Sequence, residues 1–264
     1  MKIVILANKD IASNYALNML LPELNNHELC VFLSSKVGGS SKKNHLNTLT
    51  FFEQSLFNQL ISPLIDKVNN KSAYKSFEQL NSHLSQPMEE LNLINSSEGV
   101  EKVRKFQPDL IISIRYGNIL KDDVLRIPHF GVLNLHSGLL PDYRGVMATF
   151  WAMLNYENEI GTTLHYIDDN SIDTGRIVSS SKFQVNKEKS YIWHVLQLYI
   201  AGVKLITNAI SRIENNEQLE THSQPNSGQY FSFPDVNDLL EFSKKGFCLF
   251  NENEIIDFIR ANYY

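Results

Sequence analysis

Several features that mark other protein classes are missing from this sequence. Its 264 residues include only two cysteines, Cys30 and Cys248, which lie far apart in apolar stretches, so no disulfide framework is expected. No apolar run approaches the roughly 20 residues of a membrane-spanning helix. The apolar start, residues 1–7, is too short for a secretory signal and is predicted to form a strand. These absences predict a cytoplasmic protein without a membrane partner.

Positive charge and glycine-rich motifs are scarce as well. The formal net charge is −5 at pH 7, so a long nucleic acid is not expected as a partner. The turn at residues 8–14 contains neither a G-x-G-x-x-G fingerprint nor a Walker glycine–lysine motif, which argues against a dinucleotide or triphosphate site. Lys9 and the start of the following helix are nevertheless suited to a single phosphate. No set of His and Cys residues has metal-ligand spacing, so no metal site is predicted.

Buried strands alternate with amphipathic helices along most of the chain. Largely apolar runs predict buried strands over residues 3–7, 28–34 and 110–114. A further strand is predicted over residues 131–136, where Val132, Asn134 and His136 alternate with two leucines. Apolar residues at helical spacing predict a helix ending at residue 21 and others over residues 44–80, 98–106, 121–126, 148–155 and 190–213. Further strands are predicted over residues 91–94, 162–167 and 176–185. This order predicts an α/β protein with an open, mostly parallel sheet flanked by helices.

The sequence changes character after residue 213. Residues 213–264 carry nine acidic and three basic side chains, a net charge of −6. A polar stretch, residues 214–227, is predicted to be a linker, and an alternating segment, residues 229–234, is predicted to be a strand before two short helices. We therefore expect a main domain over residues 1–213 and a small α+β module over residues 214–264, with substrate or dimer contacts.

One stretch, residues 131–145, joins a strand to a polar loop and is the strongest candidate for a functional site. Alternate residues of a strand share a face, so Asn134 and His136 point the same way. They lie at the carboxyl end of the strand, where open α/β sheets bind their ligands. A Gly- and Pro-containing loop follows at once, and an Asp-rich loop comes later, at residues 167–175. An amide beside an imidazole can bind an oxyanion and move a proton.

Three segments closely resemble the folate-dependent formyltransferases: Asn134-Leu-His-Ser-Gly-Leu-Leu-Pro-Asp-Tyr-Arg-Gly145, Gly161-Thr-Thr-Leu-His-Tyr-Ile-Asp-Asp169 and Asp173-Thr-Gly175. The resemblance implies a Rossmann-like catalytic domain that takes the formyl group of N10-formyltetrahydrofolate. It implies a catalytic trio, Asn134, His136 and Asp173. Residues 114–120 resemble the family segment whose backbone pairs with the pterin ring. The implied cofactor-binding residues are Arg115, Tyr116, Gly117, Ile119 and Asp168.

Within this family the sequence is most similar to the nucleotide-sugar N-formyltransferases. The similarity covers residues 8–13, 32–38 and 230–234. It implies a nucleotide-linked amino sugar as substrate, for surface polysaccharide (O-antigen) synthesis, and a homodimer. The first candidate substrate is dTDP-4-amino-4,6-dideoxyglucose, and a dTDP-3-amino-3,6-dideoxyhexose is the second. The two sugars differ only in which hydroxyl is replaced, so the shape of the pocket decides between them.

The chemistry of formyl transfer explains why these residue types are needed. The attacking amine must lose a proton, so His136 is predicted to be the general base. Asn134 is predicted to donate an amide N–H to the oxyanion, and one such donor is typically worth about 3 kcal/mol of barrier. Asp173 is predicted to orient His136 and to stabilise its charged form.

Substrate contacts are predicted from residue type and position. Arg144 suits a phosphate or carboxylate next to a catalytic histidine, and the aromatic rings of Tyr230 and Phe231 suit a nucleobase. The predicted substrate-binding residues are Lys9, Tyr143, Arg144, Met147, Tyr230 and Phe231. Two other histidines, His165 and His194, are predicted to be structural.

Three alternatives remain open. Formylation of methionyl-tRNA fits poorly with an acidic C-terminal part, because phosphate contacts need Lys and Arg. Glycinamide ribonucleotide formyltransferases carry a Gly-rich phosphate loop after the first strand, and residues 8–13 lack those glycines. A non-catalytic folate-binding protein would not need the complete trio.

Overall fold

The computed structural model describes residues 1–35, 44–67, 73–225 and 227–264. Most of the polar loop that follows the second strand, residues 36–43, lies outside the described residues, as does part of the predicted helix over residues 44–80. Within the described ranges, no helix has both the length and the apolar character needed to cross a membrane.

A seven-stranded sheet with the strand order β3-β2-β1-β4-β5-β7-β8 forms the centre of the fold. Its strands are β1 (Lys2–Asn8), β2 (Glu28–Ser34), β3 (Glu89–Glu90), β4 (Leu110–Ile114), β5 (Val132–His136), β7 (Glu159–Tyr166) and β8 (Ile177–Gln184). The first five are parallel, whereas β7 pairs antiparallel with both β5 and β8. The predicted fold class, an open and mostly parallel α/β sheet, is confirmed.

Helices cover both faces of the sheet, which explains why its parallel strands are almost wholly apolar. Ile3 and Ile5 pack into one core and Val4 and Leu6 into another, on the opposite face. The helices are α1 (Ile11–Glu23), α2 (Asn47–Thr50), α3 (Ser62–Ile65), α4 (Phe77–Leu80), α5 (Ser97–Phe106), α6 (Asp122–Leu125), α7 (Ala148–Leu154), α8 (Tyr191–Glu214), α9 (Val236–Lys244) and α10 (Glu252–Tyr263).

Two predicted elements differ from the structure. The helix predicted over residues 44–80 is a series of short helices: a 3₁₀ turn and α2 lead into a π-helix, Phe51–Ile61, then α3, and α4 begins only at Phe77. The strand predicted over residues 91–94 is instead β3, only two residues long. It lies at the edge of the sheet, where it pairs with Phe32 and Leu33 of β2 before the chain turns away.

The C-terminal module packs against the main domain through several contacts. A two-stranded parallel sheet joins β6 (Tyr143–Gly145) to β9 (Gln229–Phe231). The predicted linker forms a backbone bridge to β8, in which His222 pairs with Ile177. Buried side chains of α9 and α10 belong to the same core as β5 and α8. The division at residue 213 into two domains stays a prediction.

Candidate active site

The strand β5 brings Asn134 and His136 to its carboxyl end, as alternation along a strand requires. His136 is buried, and its Nε2 lies 2.7 Å from the carbonyl oxygen of Tyr143. A carbonyl only accepts hydrogen bonds, so Nε2 must carry a proton and donate it to this bond. In the neutral ring the basic nitrogen is therefore Nδ1, which faces Oδ2 of Asp173 at 3.5 Å.

Asp173 reaches this position from the Asp-rich loop. Its backbone is left-handed, with φ of +55°, a conformation that typically costs a non-glycine residue about 1 kcal/mol or more. The backbone N–H of Gly145 donates to Oδ2 at 2.8 Å. Burial alone would raise the pKa of the carboxyl, but His136, His165 and the Gly145 N–H lower it to about 2. Asp173 is thus an anion at neutral pH.

His165 also belongs to this site, although sequence reasoning assigned it a structural role. Its Nδ1 lies 2.8 Å from the Tyr166 carbonyl oxygen and so carries a proton. Its Nε2 lies 3.1 Å from Nδ2 of Asn134 and 3.4 Å from Oδ1 of Asp173. A neutral ring accepts an N–H of Asn134, which leaves the second N–H of that amide for an oxygen bound alongside. The observation that assigns His165 to the site is the antiparallel register of β5 and β7, which places His165 opposite Asn134.

The Asp173 carboxylate therefore lies between two imidazoles, with the Asn134 amide beside one of them. The rings of His136 and His165 are 6.4 Å apart and nearly perpendicular, at 82°. The three residues of the predicted trio thus lie close together at one end of β5. Together they can hold a proton and donate a hydrogen bond to a developing oxyanion.

Gly145 offers a direct test of how Asp173 is held. Its φ is +95°, and a Cβ there would come within 2.1 Å of the Phe231 carbonyl oxygen. Gly145→Ala should therefore separate β6 from β9, displace the N–H that binds Asp173, and lower kcat about 10-fold or more. Thermal unfolding and steady-state kinetics measure the two effects.

Gly246→Ala is the matched control for this change. Gly246 has a similar φ of +86°, but no non-neighbouring atom of the described residues lies within 4 Å of the position that a Cβ would take. Alanine at this position therefore has the same backbone strain as alanine at Gly145 but no steric clash. The Gly246→Ala variant should lose about 1 kcal/mol of unfolding free energy and have the same kcat as the wild type. Equal kcat values for both alanine variants would contradict a role for the Gly145 N–H.

The segment predicted to contact the cofactor follows β4, the neighbour of β5. Gly117 donates its N–H to Oγ of Ser34 at 2.9 Å, and the Tyr116 hydroxyl bonds to the Leu91 carbonyl oxygen. Ile119 is 54% exposed, so its apolar side chain can cover a ligand. These contacts fix the segment on the sheet, one strand away from His136.

Arg115 does not offer its side chain to a ligand. Its guanidinium donates to Oδ2 of Asp10 at 2.8 Å and to Oε1 of Glu53 at 3.1 Å. Burial raises the pKa of Glu53, and the charge of Arg115 opposes that rise. Arg115 therefore ties the predicted cofactor segment to the N-cap of α1 and to the π-helix, and its guanidinium is engaged within the protein.

Asp168 lies at the base of the Asp-rich loop. Its carboxylate accepts hydrogen bonds from the backbone N–H of Arg176 at 3.0 Å and from the guanidinium of the same residue at 2.8 Å. Burial alone would raise the pKa of Asp168, but these bonds to Arg176 lower it. This pairing joins the two ends of the loop that carries Asp173. The Asp168 carboxylate, which was predicted to contact the folate, therefore binds Arg176 in the structure.

Arg144 retains a positive charge that no described carboxylate neutralises. Its guanidinium donates to Oε1 of Gln224, with Nη2 at 3.1 Å, and to the Pro225 carbonyl oxygen at 3.2 Å. Both acceptors are neutral. A neighbouring β6 residue, Gly145, binds Asp173, so this cation lies close to the trio. The role of Arg144 in binding a phosphate or carboxylate of the substrate stays a prediction.

The other predicted substrate residues have different surroundings. Phe231 is buried and stacks on both Tyr143 and Trp151, at ring distances of 5.5 and 5.0 Å, so its faces are occupied by the protein. The Tyr143 hydroxyl donates to Glu157 at 2.8 Å. Tyr230 is 52% exposed and has a ring available to a ligand.

Met147 and Lys9 have roles within the fold. Met147 precedes α7 as its N-cap residue, with φ of +55°, and its half-buried side chain packs on the core. Lys9 pairs with Glu90 at 2.7 Å, and the carboxylate of Asp10 caps α1 by accepting the Ser13 N–H at 2.7 Å. A phosphate at the start of α1 would therefore meet a carboxylate, which disfavours it.

Residues 63–192 match the Formyl transferase family model. This part of the chain, about half of its length, is a formyl transferase domain. The predicted resemblance to formyltransferases is thus confirmed. A methionyl-tRNA formyltransferase from Kosmotoga olearia is 31% identical over 167 residues, which are 62% of this chain and 53% of the relative. The chain spans about half the length of the curated relatives it matches, or less.

Solved structures of formyltransferases share the fold over most of the chain. A sugar N-formyltransferase from Shewanella sp. FDAARGOS_354 has a TM-score of 0.58 at 12% identity, covering 93% of this chain and 88% of that one. An N-formyltransferase from Helicobacter canadensis, solved with folinic acid and dTDP-3-aminofucose, has a TM-score of 0.58 at 23% identity, covering 90% and 73%. At these identities the likeness shows the fold.

Proposed function

We propose that this formyl transferase moves the formyl group of N10-formyltetrahydrofolate to the amine of a nucleotide-linked amino sugar. The observation that carries the proposal is the Asp173 carboxylate held between His136 and His165, beside the Asn134 amide. An amide donor, a proton acceptor and a buried anion are the groups that acyl transfer to an amine requires.

The residues of the trio have separate roles. Asn134 donates an N–H to the formyl oxygen as negative charge develops there. Nδ1 of His136 takes the proton that the attacking amine loses, because Nε2 already donates to the Tyr143 carbonyl oxygen. As the new C–N bond forms and the old one breaks, the same ring can return this proton to the nitrogen that the formyl carbon leaves. The anionic Asp173, 3.5 Å from Nδ1, stabilises the imidazolium that results.

The residues present fit a formylated folate. When bound, that cofactor supplies the formyl carbon. The segment over residues 115–119 is fixed next to β5, where its backbone would hold the pterin ring, and the polar trio faces the same end of the sheet. Ile119 supplies exposed apolar surface at that end.

A phosphorylated sugar is the acceptor that the charges favour. Arg144 offers one cation near the trio, which suits a diphosphate, and the exposed ring of Tyr230 suits a nucleobase. The Helicobacter canadensis relative was solved with dTDP-3-aminofucose, which supports the same class. We propose dTDP-4-amino-4,6-dideoxyglucose first and a dTDP-3-amino-3,6-dideoxyhexose second, for surface polysaccharide. A homodimer is also proposed, and light scattering measures it.

Methionyl-tRNA is the second candidate acceptor, because curated relatives include methionyl-tRNA formyltransferases. The C-terminal residues 213–264 have a net charge of −6, which repels a polyanion. Mass spectrometry of reactions with formyl-folate and each acceptor in turn tests the proposal. Formyl transfer to an amino sugar nucleotide is expected. Transfer only to methionyl-tRNA or to glycinamide ribonucleotide would contradict the sugar proposal.

Arg144→Gln should raise KM for the phosphorylated acceptor by about 10- to 100-fold, because a charge-assisted bond to phosphate contributes roughly 1.5–3 kcal/mol. The KM for formyl-folate should stay within twofold. Arg126→Gln is the control, since the Arg126 side chain is 80% exposed and pairs with Asp122 on the surface. An unchanged acceptor KM in Arg144→Gln would place the phosphate elsewhere.

A further inference from the structure

Gln224 makes four hydrogen bonds at the edge of the active site, although it lies in the segment predicted to be a linker. Its Nε2 donates to the carbonyl oxygen of Asp173 at 2.9 Å and to that of Gly175 at 2.7 Å. Its Oε1 accepts from Nε and Nη2 of Arg144 at 3.3 and 3.1 Å. One side chain therefore touches both the catalytic loop and the candidate phosphate ligand.

The primary amide is matched chemically to this position. Its nitrogen has two N–H groups for two carbonyl oxygens, and its oxygen has two lone pairs for two guanidinium N–H groups. A glutamate would point an oxygen at both carbonyls. It would also neutralise Arg144 by pairing with it.

The hydrogen bonds of Gln224 to Asp173 and Gly175 hold a part of the Asp-rich loop whose backbone conformation is unfavourable. Asp173 has a left-handed backbone, and such conformations persist only when their surroundings fix them. Gln224 binds the carbonyl of Asp173 itself, and Gly145 binds its carboxylate. Gln224 in turn is anchored through His222, whose backbone pairs with Ile177 of β8.

We propose that Gln224 is a positioning residue that sets the placement of the Asp173 carboxylate and the aim of the Arg144 guanidinium together. Gln224 lies outside residues 63–192, the part that matches the family model. The C-terminal module thereby controls proton transfer and acceptor binding in the main domain. This inference rests on the proposed function for its kinetic consequences, but the placement of Asp173 can be tested without turnover.

The test compares Gln224→Met, Gln224→Glu and a control, Gln218→Met, in the full chain. Gln218 is an exposed glutamine of the same segment, and no contact of its side chain with the trio is found among the described residues. Gln224→Met should lower kcat about 10-fold and raise the acceptor KM several-fold, because small displacements of catalytic groups reduce rates strongly. Gln224→Glu should lower kcat similarly and raise the acceptor KM further. Gln218→Met should match the wild type.

A second readout needs no substrate. The ring ¹⁵N resonances of His136 and His165 at pH 7 report the nearby carboxylate, so Gln224→Met should shift them and Gln218→Met should not. Kinetic constants within twofold of the wild type together with unshifted resonances would overturn the proposal. Lowered thermal stability with unchanged kcat and unchanged resonances would also overturn it. If the wild type formylates no acceptor, the proposed function fails, and the resonances alone still decide whether Gln224 places Asp173.

Discussion

We expect His136→Asn to lower kcat by at least about 100-fold, with little change in the KM for formyl-folate. Loss of a general base typically costs 100- to 10,000-fold in rate. Asparagine has no group that takes up a proton at neutral pH, so the amine would have to lose its proton to water. Single-turnover kinetics with a saturating acceptor measure the effect on the chemical step.

His129→Asn is the control for this experiment, because His129 is exposed on the surface. Its kcat should equal that of the wild type. Thermal unfolding should show that the His136 variant is folded, since its buried ring also bonds to the Tyr143 carbonyl. Wild-type turnover in a folded His136→Asn protein would eliminate His136 as the base.

Asp173→Asn should have a similar effect on turnover, about 100-fold or more, and a separate effect on stability that depends on pH. The neutral amide no longer stabilises a charged His136, so the proton is held less well. The pH–rate profile should therefore change shape and not only height. Steady-state rates from pH 5 to pH 9 test this, and an unaltered profile would show that Asp173 does not act through His136.

The stability effect follows from the pKa of Asp173, which lies at about 2 in the folded protein against an ordinary value of 3.8. A lowered carboxyl pKa stabilises the folded state at pH values above the ordinary pKa. That stabilisation is lost as the pH falls from about 4 towards 2. The difference corresponds to about 2 kcal/mol.

Denaturant unfolding of wild type and Asp173→Asn at several pH values measures this contribution. The variant should be less stable by about 2 kcal/mol at pH 6, and about half of that difference should have vanished by pH 3. A difference that stays constant from pH 6 to pH 3 would mean that the carboxylate is not the source of the stabilisation.

The strands of the sheet were the most predictable part of the fold. Runs such as residues 110–114 are apolar at every central position but one because both faces are covered, and β4 has the predicted bounds. The proximity of the Asn134 and His136 side chains was also predictable, because alternate residues of a strand such as β5 share a face. The boundaries of the helices between residues 44 and 80 were less predictable, because the spacing of apolar residues does not distinguish α-helical from π-helical turns.

The partners of the trio were not predictable in the same way. His165 faces Asn134 only because β7 runs antiparallel to β5, and a single sequence does not state which strands pair. Gln224 lies in a polar stretch with linker composition, and its bonds to Asp173 and Gly175 depend on long-range folding. Arg115 has a guanidinium suited to anionic ligands, but Asp10 and Glu53, distant in sequence, bind it instead.

The parallel pairing of β6 with β9 has a consequence for protein engineering. Exchanging the C-terminal module of this chain for that of another formyltransferase would replace the strand that supports Gly145. Such chimeras should lose catalytic rate even when the graft folds and the acceptor pocket is retained. Module exchange in this protein therefore needs compensating changes at the junction between the two small strands.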